Sequence, residues 1–281
     1  MPIRVVTDST ADVPNDLAEE LGIAVVPLYV NFGDDTFRDG VDMSTDDFYE
    51  RLVASKVLPT TSQPSAGDFE DVYRKLAEET TEIVSIHLSG KLSGTLGSAA
   101  TAAAAVPECT IEVIDSRSAS LGCGLAAIKA AQAARAGARM HEVLDLVQHV
   151  TDHQRVVFTV DTLEYLRRGG RIGRGAAFLG SLLSIKPLLE LRDGEIFPVE
   201  RVRSRKKALN RMYEGLSNLE AISDIGIIHA TTPDDADEMR ARLEERFPDV
   251  RFWTGRIGPV LGAHTGPGIL GVLALRRRGE E

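Results

Sequence analysis

In the first half of the chain, short apolar runs end in polar loops, and each loop leads into a segment with helix signals. The runs have the length of buried strands, and the segments between them carry helix-start and helix-stop residues such as Pro14 and Gly22. A repeating order of strand, loop and helix is typical of a Rossmann-like α/β domain with a mostly parallel sheet. The predicted strands are Ile3–Thr7, Ala24–Phe32, Ile83–Leu88 and Thr110–Asp115.

The pattern changes after about residue 155. Asp193-Gly194 separates two extended apolar segments and is the strongest hairpin signal in the chain. Helical and extended segments alternate beyond this hairpin, which predicts an α+β domain with a mixed sheet. We therefore predict an N-terminal α/β domain over residues 1–155 and a C-terminal α+β domain over residues 156–281.

Composition narrows the class of protein. A chain of 281 residues allows about two domains. Its net charge of -10 argues against nucleic-acid binding, which needs a basic face. No apolar window approaches the ~18 residues of a membrane span, so we expect no integral membrane segment. The N-terminus has no secretory signal pattern, and Cys109 and Cys123 suit a reducing compartment, so we expect a cytoplasmic protein.

Motifs for cofactor or metal sites are missing or weak. There is no P-loop, and the G-x-G-x-x-A match at Gly122–Ala127 is separated from its strand by a polar loop. His149 and His153 are four residues apart on one predicted helix, but no third ligand lies nearby in the sequence, which favours a solvated face. We therefore predict neither a metal nor a cofactor.

Several loops are rich in hydroxyls and small residues, and three of them directly follow predicted strands. Loops at the carboxyl ends of parallel strands share one sheet edge, which favours a binding site there. A helix follows Ser93-Gly94-Thr95, and its free N–H groups would suit an anion, although simple capping by Ser or Thr gives the same pattern. The loops are Asp8–Thr10, Thr60–Ser62, Ser89–Thr95, Asp115–Ser116 and Gly262–Gly268.

Two features of the second half are consistent with a ligand that is both acidic and apolar. Arg201, Arg203 and Arg205 point to one face of an extended chain, either as a solvated basic face or as partners of a carboxylate or phosphate. Residues 173–187 are predicted to be helical, are apolar on several sides, and would be able to line a tunnel.

Ser93 and His264 also allow an enzymatic hypothesis. A serine and a histidine in this order, with Asp8 or Asp115 orienting the imidazole, would form a hydrolase or transferase site. The usual nucleophile motif G-x-S-x-G is missing, since Ser93 stands in G-x-x-S-G. A phosphate-ligand binder is a third hypothesis, because the same loops would hold phosphate.

Seven motifs spread over residues 7–268 resemble those of the DegV family, the fatty-acid-binding proteins that partner bacterial fatty acid kinases. The motifs, in order, are TDST, PTTSQPS, LSGTLGSA, DTLEYLRRGGRIG, SIKPLLEL…GEI, RVRSRKKAL and GAHTGPG. The resemblance implies two α/β domains that hold a long-chain fatty acid between them, with the acyl chain in an apolar tunnel.

The resemblance also implies a carrier that is not itself an enzyme. A partner fatty acid kinase would phosphorylate the bound carboxylate to an acyl-phosphate that feeds phospholipid synthesis. The segment RRGGRIGRG, residues 167–175, is our candidate for the kinase-binding surface, with a structural turn carrying solvated arginines as the alternative.

Position by position, the resemblance implies a set of ligands for the fatty-acid carboxylate. Arg201 and Arg205 leave open which arginine contacts the head group. We expect the glycines around His264 to leave space for that head group beside the ring. The matched residues are the hydroxyls of Thr61 and Ser93, the side chains of Arg203 and His264, and the backbone N–H groups of Ser62 and Gly94.

Overall fold

The computed structural model describes residues 3–55, 57–179 and 185–279. Within these ranges the chain forms strands, α-helices and two 3-10 helices at Ser9–Ala11 and Gly173–Phe178. The strands are β1 Arg4–Asp8, β2 Ile23–Val26, β3 Tyr29–Phe32, β4 Asp35–Arg38, β5 Thr60–Ser62, β6 Glu82–His87, β7 Thr110–Asp115, β8 Gln154–Thr159, β9 Lys186–Arg192, β10 Glu195–Val202, β11 Ile222–His229, β12 Arg251–Arg256 and β13 Leu270–Arg276. The α-helices are α1 Asn15–Leu21, α2 Thr45–Ala54, α3 Ala66–Ala77, α4 Thr95–Ala104, α5 Leu121–Arg135, α6 Met140–His153, α7 Glu164–Arg168, α8 Arg205–Ser217, α9 Pro233–Arg246 and α10 Pro259–Thr265.

The first sheet has the strand order β2-β1-β6-β7, and all of its pairs are parallel. Helices α3 and α4 pack on one face through a cluster that includes Val6 and Ile83, and α5 packs on the other through Val5 and Val84. Burial on both faces explains the apolar runs of the two central strands, β1 and β6. The predicted Rossmann-like α/β architecture is confirmed.

A small antiparallel sheet, β4-β3-β5, was absent from the sequence-based prediction, which treated residues 24–32 as one strand. Pro27 interrupts that run, since proline cannot donate to a sheet ladder. β2 therefore ends in the parallel sheet, and β3 begins in the small one. β5 is a three-residue polar strand that pairs Thr61 with Val30, so it carries no apolar pattern that would reveal a strand.

The third sheet has six strands in the order β10-β9-β8-β13-β11-β12. β11 and β12 are parallel and the other pairs are antiparallel, which confirms the predicted mixed sheet. The hairpin between β9 and β10 is also confirmed. Asp193 and Gly194 have φ angles of 49° and 77°, as a two-residue turn with both central residues at positive φ requires.

The two faces of the six-stranded sheet pack against different helices. Helices α8 and α9 pack on one face around Val157 and Ile225. The other face, which includes Val156 and Leu273, packs against α5 and α6. Because α5 also packs on the parallel sheet, it lies between the two large sheets and brings them together around one interior.

The change from one sheet to the next occurs at Gln154, where β8 begins, close to the expected boundary at residue 155. Two hydrophobic clusters nevertheless contain residues from both sides of this boundary. One cluster includes Val5 and Leu273, and another includes Phe48 and Ile257. The division of the chain into two domains at this position therefore stays a prediction.

The described part of residues 173–187 does not follow the helix that the sequence pattern predicts. A 3-10 helix covers Gly173–Phe178, and β9 begins at Lys186. Gly173 has a φ of 52°, outside the helical region, which explains why a regular helix does not begin there. Leu182 and Leu183, two of the apolar residues expected to line a tunnel, lie outside the described residues. No described helix is both long and apolar enough to cross a membrane.

Candidate ligand-binding site

A cavity of about 350 Å³ lies beside the α5 face of the six-stranded sheet, where α10 and the loop after β6 meet it. This volume falls within the range of small-molecule sites, about 300–1,000 Å³. Both halves of the chain contribute to its walls, and most of the lining is apolar. The apolar lining residues are Leu28, Leu88, Leu92, Ala119, Val156, Phe158, Leu166, Leu191, Ile196, Ile228, Ile257, Val260, Leu261 and Ile269.

Apart from Ser120, whose hydroxyl donates to Asp12, the polar lining residues lie together, and we call them the polar wall. Its members come from β5, the β6–α4 loop, the turn after α7, and α10, and contacts join these elements. Thr61 Oγ1 lies 2.7 Å from His264 Nε2, and Arg171 Nε donates to the carbonyl of Leu92 at 3.0 Å. The polar wall consists of Thr61, Ser62, Gln63, Ser93, Arg171, His264 and Thr265.

The structure brings four of the six sequence-predicted residues to this wall. Thr61, Ser62, Ser93 and His264 all line the cavity. Gly94 is adjacent but does not line it. A β-carbon on Gly94 would overlap the Gln63 side chain, so glycine there allows Gln63 to pack closely against the β6–α4 loop.

His264 is the most enclosed titratable group of the polar wall. Burial, and next the nearby positive charge of Arg171, lower the pKa of His264 to about 4, so its ring is neutral at neutral pH. Nε2 is the atom near Thr61, while Nδ1 is buried and has no hydrogen-bond partner among the described residues. A β-carbon on Gly169 would overlap Nδ1, so glycine at 169 is required for this ring position.

The glycines around His264 do not leave the open space that we expected for a head group. A β-carbon on Gly262 would clash with Phe48 and Tyr49, one on Gly266 with Tyr165, and one on Gly268 with Asp161. These glycines instead allow neighbouring side chains to approach the backbone of α10 and the residues after it. The expectation of free space at these positions is therefore wrong, because protein atoms occupy it.

Ser93 lies where the start of α4 meets the cavity. Its Oγ lies 2.9 Å from Thr95 Oγ1 and accepts a hydrogen bond from the Thr95 N–H at 3.3 Å, at the start of α4. It also lines the cavity. The N-terminal end of α4, with its partial positive charge, therefore lies beside the polar wall.

The arginine that lines the cavity is Arg171, and none of the three arginines selected from the sequence does so. Arg203 is exposed, and Arg201 donates to the Ala177 carbonyl and stacks on Phe178. Arg205 is held by Asp235, Asp161 and the Gly268 carbonyl. The structure thus does not bring Arg203 together with Thr61, Ser93 and His264.

Arg171 reaches the cavity because the chain turns sharply after α7. Gly169 ends that helix, and Gly170 has a φ of 70°, a conformation that favours glycine. The paired glycines of RRGGRIGRG were the available sequence signal. Their pattern indicates a tight turn, but it does not indicate which of the neighbouring arginines returns to the interior.

The Ser93–His264 arrangement of a hydrolase is not assembled. Within the described residues, His264 Nε2 bonds to Thr61, and neither predicted orienting carboxylate contacts His264. Asp8 instead accepts from His87 and from the backbone of Leu88. Asp115 accepts from the backbone N–H groups of Gly90, in the loop after β6, and of Arg117. Among the described residues, no carboxylate orients His264 toward Ser93, an arrangement on which nucleophilic catalysis of this type depends.

Two buried carboxyl groups of the first half hold the start of α10. Asp12 accepts from the Gly258 N–H at 2.9 Å and from the Ser120 hydroxyl. Asp39 accepts from Ser9 at 2.8 Å and from the backbone N–H of Val260 in α10. Burial raises the pKa of Asp12 well above its usual value and raises that of Asp39 to about 6. These contacts fix the position of the helix that carries His264.

The residues that the structure describes contain no cluster of three or more metal-ligating side chains. The paired histidines of α6 have other contacts: His149 and His153 stack with their ring centroids 4.4 Å apart, and each bonds to a backbone carbonyl.

Fold and cavity together define an α/β protein with an apolar interior chamber and one wall of hydroxyl, amide, imidazole and guanidinium groups. Such a chamber suits a molecule with a long apolar part and a single hydrogen-bonding end. A family model described as "Uncharacterised protein, DegV family" matches residues 2–277. The chain belongs to the DegV family.

Two relatives match this chain in sequence over nearly its whole length. The protein DegV of Bacillus subtilis is 37% identical over 279 residues, covering 97% of this chain and 98% of that protein. A DegV domain-containing protein of Streptomyces coelicolor is 39% identical over 279 residues, covering 98% and 99% respectively.

Solved structures agree with the same architecture. A DegV family protein from Thermus thermophilus, described as binding fatty acid, has a TM-score of 0.91 and 37% identity, covering 99% of this chain and 100% of that chain. A stearic-acid-binding protein from Eubacterium ventriosum has a TM-score of 0.90 and 28% identity, covering 98% of both chains.

Proposed function

We propose that this protein binds one long-chain fatty acid and carries it without transforming it. The observation that carries the proposal is the chamber itself, an apolar cavity with a single polar wall in which Thr61, Ser93, Arg171 and His264 converge. Relatives of the same fold that are described as fatty-acid-binding proteins support it.

In this proposal the carboxylate lies against the polar wall. A carboxylate that loses part of its water shell needs several donors, and the hydroxyls of Thr61 and Ser93 with the guanidinium of Arg171 would supply them. The backbone N–H groups of Ser62 and Gly94 are further proposed donors. Arg171 replaces Arg203, which lies outside the cavity lining, as the proposed cationic partner.

His264 acts through Thr61 in this proposal. The neutral ring would carry its proton on Nε2 and donate it to Thr61 Oγ1, which leaves the Thr61 hydroxyl proton for the carboxylate. The alternative tautomer would leave a buried N–H at Nδ1 without an acceptor, and an orphaned buried donor is costly.

Burial of the acyl chain supplies most of the proposed affinity. Each buried methylene contributes about 0.8 kcal/mol, so a fifteen-methylene tail gains on the order of 12 kcal/mol before the entropy losses of binding. The polar wall then fixes the direction in which the ligand enters rather than the bulk of the binding energy.

We further propose a separate kinase as partner, which phosphorylates the bound carboxylate to an acyl-phosphate for phospholipid synthesis. The exposed side chain of Arg171 on the polar wall supports this, because the head group would then lie close to solvent. A cytoplasmic location is proposed from the two unpaired cysteines, Cys109 and Cys123. Residues 167–175 remain our proposed kinase-binding surface.

The direct test is mass spectrometry of lipid extracted from the purified protein, followed by titration of the delipidated protein with palmitic acid. Recovery of a fatty acid and saturable binding are expected. Recovery of a phosphorylated metabolite, or no palmitate binding by a folded protein, would overturn the proposal. An activated-serine probe that cleanly labels Ser93 would favour the hydrolase instead.

The polar wall and the kinase step have their own tests. Ser93→Ala combined with His264→Ala is expected to reduce kinase-coupled acyl-phosphate formation while the protein remains folded by circular dichroism. Arg203→Ala is the matched control and is expected to leave the reaction unchanged. Unaltered acyl-phosphate formation in the double variant would show that the head group binds elsewhere.

A further inference from the structure

A narrow apolar gap lies between α5 and the six-stranded sheet, close to the cavity. Its walls are Leu121, Leu125 and Ile128 of α5, facing Gly226, Trp253 and Leu273 of the sheet. The gap has no room for a water molecule. An apolar space of this kind stays dry, and an apolar ligand is what would fill it if it were widened.

The gap continues the same sheet face that forms the floor of the cavity. Ile228 lines the cavity and Gly226 lines the gap, and residues two apart on a strand lie on the same face. In the register of β11 with β13, Gly226 pairs with Leu273, which also lines the gap. The cavity and the gap are therefore neighbours along β11.

Leu121 stands between the two spaces. It follows Ser120, which lines the cavity, and it shares a hydrophobic cluster with the cavity residues Phe158 and Ile228. Two glycines accommodate it on the sheet: a β-carbon on Gly226 would lie 3.2 Å from Leu121 Cδ1, and one on Gly255 would lie 3.5 Å from Leu121 Cγ.

We infer that Leu121 determines how long an acyl chain the protein accepts, by closing the cavity off from the gap between α5 and the sheet. This inference rests on the proposed binding of fatty acids and deepens it. The gap alone holds no ligand, but the gap together with the space of the Leu121 side chain would extend the cavity along the floor formed by Gly226 and Leu273.

The experiment compares the binding of myristic, palmitic, stearic and arachidic acids to delipidated wild-type protein and to Leu121→Ala. Leu121→Ala is expected to shift the preference toward the longer acids, by up to about fifteenfold for each added pair of methylenes, the value for their full burial. Leu121→Val, a milder truncation that leaves less risk to folding, is expected to shift the preference in the same direction by less.

Leu125→Ala is the matched control. This variant removes the same side-chain atoms from the same gap, one helical turn further from Ser120. Because Leu121 stays in place, the variant is expected to keep the wild-type preference for chain length. The double variant Leu121→Ala/Gly226→Ala is expected to return the profile toward wild type, because the added β-carbon enters the space that Leu121 vacated.

The inference is overturned if Leu121→Ala and Leu121→Val bind palmitic acid but keep the wild-type profile, or if Leu125→Ala shifts the profile equally. Failure of the proposed function gives a different result, because then the wild-type protein itself binds none of the four acids.

Discussion

Two histidines of this protein lie in opposite kinds of surroundings. His87 is fully buried and has partners on both ring nitrogens, with Ser85 Oγ 2.7 Å from Nε2 and Asp8 Oδ2 3.0 Å from Nδ1. His264 has one partner, Thr61, and its ring lines a cavity. The first histidine has the partners of a catalytic triad, and the second lacks them.

Hydrogen-bond partners alone therefore do not make a functional site. Ser85, His87 and Asp8 are completely enclosed, and the ring of Phe69 lies edge-on to His87 at 4.9 Å, so no substrate reaches them. A triad acts only where the nucleophile meets a substrate. The buried network stabilises the parallel sheet, while His264 lines a cavity that a ligand is able to enter.

The largest effect that this comparison predicts is on stability. Asp8→Ala would leave the ring of His87, the Leu88 N–H and the Thr10 hydroxyl without their acceptor, and we expect a loss of about 3–5 kcal/mol in the free energy of unfolding. Urea denaturation measures it, with Asp115→Ala as a less buried control. A loss under about 1 kcal/mol would show that the network is not structural.

His264 and Asp39 are expected to change the stability of the protein in opposite directions as the pH changes. The pKa of His264 is about 4 in the folded chain, below its ordinary value of 6.5, so the unfolded chain binds this proton more readily. The contribution of His264 to stability therefore rises with pH between these two values. Asp39, with a folded pKa of about 6 against 3.8, keeps its proton in the folded chain, so its contribution falls over nearly the same window. Each contribution is at most about 3 kcal/mol.

The contributions of His264 and Asp39 therefore oppose each other between pH 4 and pH 6. Relative to the wild type, His264→Gln is expected to lose stability as the pH rises through this range, and Asp39→Asn is expected to gain it. Chemical denaturation at several pH values measures both slopes. Parallel slopes for the two variants would contradict the assignment.

Gly169→Ala tests whether the position of the His264 ring affects ligand binding. The added β-carbon overlaps Nδ1 of His264, so the ring must move away from Thr61, and palmitate affinity is expected to fall about tenfold, the loss of one good hydrogen bond. Gly97→Ala, at an exposed helix position with open space around it, is the control and is expected to bind normally. Equal affinities for both variants would remove His264 from the proposed site.

The smallest predicted effect concerns the cation near the cavity. Arg171→Ala is expected to weaken palmitate binding by less than about fivefold, because an exposed ion pair contributes under about 1 kcal/mol and salt screens it. Arg203→Ala is expected to change nothing. Isothermal titration at low and high salt measures both, and a larger effect from Arg203 would restore the arginine that the sequence motif indicated.

The sheets could be predicted where the sequence carries a strong local signal. The strand at Ile83 is predictable because its apolar run is nearly continuous, and the Asp193-Gly194 hairpin because few residue pairs adopt its turn. β5 could not be predicted, because Thr60–Ser62 is polar and becomes a strand only by pairing with β3.

The site was predictable to the extent that its residues lie in recognisable loops. Thr61, Ser93 and His264 belong to motifs that also carry the family resemblance, so they could be selected before their contacts were known. Arg171 could not be selected in the same way, because its approach to the cavity depends on the φ angle of Gly170 and on the distant carbonyl of Leu92.

The cavity is assembled from segments as far apart in the chain as Leu28 and Ile269. During synthesis the first of these leaves the ribosome long before the last, so an unfinished chain has no complete chamber. Binding of the proposed ligand therefore requires that the chain has been synthesised and folded at least as far as Ile269. Occupancy of the chamber would then report that these distant segments have come together.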